Sequence, residues 1–175
     1  MIKALSFLAA GVLAVWIQSI LAQEFTIYGA VPDLALIIIV YMGIFRNPIR
    51  GGVIAFCLGY MTDLFSGQLF GQYALVFVVV FYAMRLLGKL FYMRSMVSQV
   101  IVVGIMTLLA KLIAAGIGLY AMPNVGGLMG SVDYKLLGPQ LALNLVFAPI
   151  VFRLMFKLEE MTSQGYLNRR MAGWF

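Results

Sequence analysis

Apolar residues fall along this chain in six long runs, each closed by a short polar or glycine-containing break. The runs cover Ala4 to Ala22, Leu34 to Phe45, Gly51 to Phe65, Tyr73 to Leu87, Met96 to Ala121 and Leu136 to Phe156. Their lengths and apolarity suit membrane helices. Pro32-Asp33 opens the second run as a helix start: proline is tolerated in a first turn, and an acid there complements the helix dipole. The first run resembles a secretory leader, but it is longer than the usual ~7–15-residue core of one and approaches the ~20 residues of a spanning helix. It reads as a retained first helix. The second and third runs are short for full spans, yet a re-entrant hairpin would leave Arg46 and Arg50 at membrane depth, so two short spanning helices are expected.

Composition turns this pattern into a class. The 175 residues are 64% hydrophobic and only 10% charged, with a mean hydropathy of +1.04; a soluble domain is about 45–50% apolar and about 25% charged. An all-α polytopic membrane protein is expected, with residues 1–157 as one six-helix transmembrane domain and 158–175 as a basic cytoplasmic tail. That tail mixes Tyr166, Leu167, Met171, Trp174 and Phe175 with arginines, which suits a segment lying along the inner leaflet.

Charge then orients the bundle. Lys3, Arg46 and Arg50, Arg85, Lys89 and Arg94, and finally Arg153, Lys157, Arg169 and Arg170 hold ten of the twelve basic residues, all at one end of the alternating runs. Lysine- and arginine-rich turns stay in the cytoplasm, so both termini are expected there. The net charge of +6 is not a nucleic-acid signal, because no aromatic–basic interleaving accompanies it. The chain has no histidine, which excludes histidine-activated nucleophiles and histidine metal sites. Cys57 reads as a small buried hydrophobe of the third run. No metal and no cofactor is expected.

Polar residues inside the runs are the candidate chemistry, because isolated intramembrane charges are costly and tend to pair or line a polar cavity. At ~1.5 Å rise per residue from the cytoplasmic entry, Asp63 lies roughly 18 Å in, Lys111 and Gln18 about 22 Å, and Asn144 roughly 20 Å. These four residues on four helices share one level. An Asp63–Lys111 pair flanked by Asn144 and Gln18 is expected there, structural or partner-binding in role, with Gln72 and Gln140 nearer the surface. Ala110, Ala114 and Gly118 on the fifth run have the four-residue spacing of a close helix-packing face. A pair of aspartates sharing a proton, as an aspartyl protease needs, is not offered, since Asp33 sits at a loop and Asp63 in a helix.

Pro32-Asp33-Leu34, the aliphatic run after it, Arg46-Asn47-Pro48-Ile49-Arg50-Gly51-Gly52, Gly59, Asp63-Leu64-Phe65-Ser66-Gly67 and Gly71 together resemble the rod-shape-determining MreD family, most strongly over residues 30–90. The resemblance implies a six-helix fold like the substrate-binding subunit of energy-coupling-factor vitamin transporters. It also implies a bacterial inner (plasma) membrane location and no catalysis. The implied role is to hold and regulate the cell-elongation assembly: MreC as direct partner, MreB filaments, and the glycosyltransferase and transpeptidase of lateral peptidoglycan synthesis. The alternative is a small-molecule (vitamin) uptake subunit in which the level around Asp63 and Lys111 holds a ligand. The glycine-rich loop 122–133, poor in aromatics, suits such a pocket badly.

Overall fold

The computed structural model describes residues 2–24, 30–66, 70–88, 95–121 and 134–172; Gly67, the loop 122–133, residues 173–175 and the side chains beyond residue 162 lie outside the described set. Among the described residues there are six helices and no strand: α1 (Ile2–Glu24), α2 (Leu34–Phe45), α3 (Pro48–Ser66), α4 (Gln72–Leu87), α5 (Met96–Ala121) and α6 (Tyr134–Ala172). Each apolar run is one helix. The proposed domain boundary at Lys157 falls within α6, which at 39 residues is about 58 Å long at 1.5 Å per residue.

The boundaries follow local chemistry. Asp33 caps α2, its Oδ1 accepting the Leu36 amide hydrogen at 3.0 Å, which satisfies one of the orphan donors of the first turn. Arg46 ends α2 in an extended conformation (φ −111°, ψ 157°). Pro48 then occupies the first position of α3, where its missing N–H removes no helical bond. Gly71, just before α4, has φ 87°, a left-handed conformation that glycine adopts without the Cβ clash other residues meet.

Nine of the twelve α2 residues, Ala35 to Gly43, are buried, and α2 packs against each of the other five helices. A helix that is hydrophobic all round is enclosed by protein or by lipid; the other five helices enclose this short one, which is the central post. Around it, α3 lies against α4, α5 against α6, and α1 against α3. The α3–α4 approach is close enough to need glycine: a Cβ on Gly59 would stand 2.5 Å from the Ala74 Cα.

The outer helices are apolar on the outside as well. Val53, Phe56, Tyr60 and Leu64 form an exposed stripe along α3, and Leu13, Trp16, Ile17 and Ile20 do the same on α1. Residues 96–118 and 137–162 are long and apolar enough to cross a membrane, with only 33% and 28% of their apolar windows covered by protein. In water this much exposed apolar surface would be an aggregation liability; against lipid tails it is the expected exterior. Cys57 belongs to that exterior. It is exposed rather than buried, because α3 turns it outward between Phe56 and Tyr60.

Candidate functional site

Two polar assemblies are built at opposite ends of α2. At its N-terminal end, Asp33 is only 6% exposed. Its backbone N–H donates to Asn144 Oδ1 of α6 at 2.7 Å, and Asn144 Nδ2 donates to Thr107 Oγ1 of α5 at 3.2 Å. The Thr107 hydroxyl continues to the Val103 carbonyl one turn earlier, at 2.8 Å. Gln18 of α1 lies beside the Asp33 side chain, and Lys111 of α5 is near enough to interact with its charge. The Gln18 Oε1 atom is buried without a protein partner. Four helices therefore meet on one N-cap. Buried polar groups in a bilayer must be satisfied within the protein, and this chain of bonds does so for Asp33, Asn144 and Thr107. Asn144→Leu should leave the Asp33 amide hydrogen without an acceptor and lower stability by about 1–2 kcal/mol. Thr107→Val, which removes only the end of the chain, should lower it less, and melting curves in lipid nanodiscs would rank the two.

Asp63, 1% exposed, does separate work. Its Oδ1 accepts the amide hydrogen of Tyr73 at 2.8 Å, and its Oδ2 accepts those of Gly71 and Ala74, each at 3.1 Å. Gly71 has no side chain to cap α4, so a carboxylate at the far end of α3 caps it instead. The charge also faces the positive end of the α4 dipole. Ser66 Oγ donates to the Asp63 carbonyl at 3.2 Å, tightening the last turn of α3. The expected ion pair between Asp63 and Lys111 is not present. Three amides engage Asp63, and the acid whose field reaches Lys111 is Asp33. Gln72 is buried and donates from Nε2 to the Ala114 carbonyl at 3.3 Å, joining α4 to the small-residue face of α5. On that face Ala110 and Gly118 are buried and Ala114 is half-buried.

The second assembly surrounds the C-terminal end of α2. Tyr41, with no exposed surface, donates its hydroxyl to Glu159 Oε2 at 2.8 Å. Glu159 Oε1 lies 3.4 Å from Arg46 Nη2. The Arg46 guanidinium stands 3.8 Å above the Phe7 ring, a cation–π contact, and Arg85 of α4 donates to the Arg46 carbonyl. The rings of Phe45, Phe152 and Phe156 pack round Tyr41 at centroid distances of 4.8, 5.5 and 5.2 Å.

Of the residues singled out in the sequence, the structure gathers Gln18, Lys111 and Asn144 round Asp33, and places Asp63 on α4. Pro32 is buried beside the α2 cap, Arg50 is exposed on the first turn of α3, and Gly51 faces the Phe81 ring. Sequence reasoning missed Thr107, although it lies one turn before Lys111 on the same helix face. It also missed Tyr41 and Glu159, which are 118 positions apart. The one available signal was that Glu159 and Glu160 are the only acids among the basic residues of the tail.

A helical bundle with an apolar exterior and a buried central post defines an integral membrane protein. A family model described as rod shape-determining protein MreD matches residues 1–162. The chain belongs to the MreD family. No curated protein and no solved structure matches it.

Proposed function

We propose that the protein is a non-catalytic membrane scaffold that helps to maintain rod shape by holding MreC, MreB and the lateral peptidoglycan synthases in one elongation assembly. Membership in the MreD family implies a role in rod-shape determination; the scaffold role goes further. One observation carries it: both carboxylates at the N-terminal end of α2 are engaged in capping helices, Asp33 on α2 and Asp63 on α4. Carboxylates held by backbone amides brace a fold, and the polar residues Gln18, Lys111 and Asn144 around them act in the same structural sense. In this reading all six helices span the bacterial plasma membrane, as in the vitamin-transporter subunit fold that the family resemblance suggests. The basic turns and both termini lie in the cytoplasm, and the Ala110–Ala114–Gly118 face serves helix packing.

Affinity purification of the tagged protein from membranes of a rod-shaped bacterium tests the proposal. MreC should co-purify, together with the glycosyltransferase and transpeptidase, and depletion should round the cells. Recovery of an ATPase coupling module with a bound vitamin, or depleted cells that stay rod-shaped, would overturn it.

A further inference from the structure

One edge of the Arg46 guanidinium makes no hydrogen bond to the described residues, and its nearest acid is Glu159. The Nε and Nη2 atoms of that edge are both buried, and neither has a hydrogen-bond partner. These two nitrogens lie on one side of the planar group, where their parallel N–H bonds match the two oxygens of a single carboxylate. Burying charged donors without acceptors is costly, so an edge of this kind calls for an occupant. Both atoms are buried within the bundle. The carboxylate at hand is Glu159, whose Oε1 is 3.4 Å from Nη2 while its Oε2 takes the Tyr41 hydroxyl at 2.8 Å.

We propose that Glu159 is a two-position latch between α6 and the central helix. In the position described, the carboxylate is shared between Tyr41 and one guanidinium nitrogen. In the other it turns onto the Nε/Nη2 edge, forms a two-bond fork with Arg46 and releases the Tyr41 hydroxyl. Phe7 holds the guanidinium from the α1 side, and Arg85 holds the Arg46 backbone from α4, so the arginine stays in place while the carboxylate moves. Glu159 lies on the part of α6 that continues to Ala172. Tension or docking on that extension would thus bias a contact at the C-terminal end of α2, the one helix that touches all the others. A bistable contact of this kind is the physical element that coupling between distant surfaces requires.

Fluorine NMR of the full-length protein carrying 3-fluorotyrosine in lipid nanodiscs reads the latch directly, with the Tyr41 resonance assigned by Tyr41→Phe. Glu159→Ala sets the position of an unbonded hydroxyl. Arg46→Lys keeps the charge but removes the edge, and so sets the position of a hydroxyl bonded to Glu159. The wild type should show two Tyr41 resonances near these limits, or one averaged resonance between them that moves with temperature. A wild-type resonance coincident with that of Arg46→Lys would overturn the latch. If the variants fail to fold, a single wild-type Tyr41 resonance that does not move with temperature overturns it equally.

Discussion

Asp63→Ala should destabilise the protein more than any other single side-chain truncation in the N-terminal polar assembly. The substitution strips acceptors from three amide hydrogens at once, those of Gly71, Tyr73 and Ala74, in a site where Asp63 itself is only 1% exposed. Leaving a buried donor unsatisfied costs ~1–3 kcal/mol, and the α4 dipole loses its facing charge as well. Even with partial relaxation the loss should be on the order of 3 kcal/mol or more. Asp63→Asn keeps one acceptor oxygen and should fall between the two. Thermal melting in nanodiscs and rescue of rod shape in depleted cells would be measured together. Asp63→Ala melting alongside the wild type would refute the capping role. A double-mutant cycle adds a sharper check on the partner of Lys111. Asp63→Asn and Lys111→Met should combine additively, because the two side chains do not pair, whereas Asp33→Asn and Lys111→Met should show coupling.

Gly59→Ala should be the second large effect, caused by a single methyl group. The new Cβ would stand 2.5 Å from the Ala74 Cα, 2.6 Å from the Tyr73 carbonyl oxygen and 2.7 Å from the Ala74 nitrogen. All three are backbone atoms, which no rotamer change can move aside. The helices α3 and α4 must separate, and overpacking of this kind costs typically ~1–3 kcal/mol. The separation also falls one turn from Asp63, whose bonds to Tyr73 and Ala74 cross the same interface, so the loss should reach the upper end of that range or pass it. Gly116→Ala is the control. A Cβ there meets nothing within 4 Å, and alanine is the better helix former, so its melting point should match or slightly exceed that of the wild type. Equal melting of the two variants would show that the α3–α4 contact is looser than described.

The helices were legible because their signal is local. Runs of apolar residues broken by Arg46-Asn47-Pro48 or by Gly71 specify where a chain can hydrogen-bond its own backbone and where it cannot, and α2, α4 and α5 begin and end within a residue or so of those runs. That Gln18, Lys111 and Asn144 come together was legible for a similar reason: helical rise is constant, so counting residues along neighbouring helices shows which can meet. Direction around the helix axis is different. Asp33 and Asp63 stand at the same end of the bundle, and counting residues cannot say which of them faces α5. Cys57 shows the same limit, since its apolar neighbours suit an inward and an outward face alike.

By itself, then, the sequence determined that the chain is a helical membrane protein, that it has six helices, which turns carry the positive charge, and which family its motifs resemble. Transfer free energy and helix periodicity act residue by residue, so they can be read from one chain. Only the tertiary structure decided that α2 is the central post, that Asp63 caps α4, that Asp33 gathers Gln18, Lys111 and Asn144, and that Glu159 returns to Tyr41 and Arg46. Those choices depend on which helices are neighbours. Lipid and protein offer an apolar side chain much the same environment, so hydrophobicity does not select the neighbours. Close approaches such as Gly59 on Ala74, and the need of each buried polar group for a partner, do.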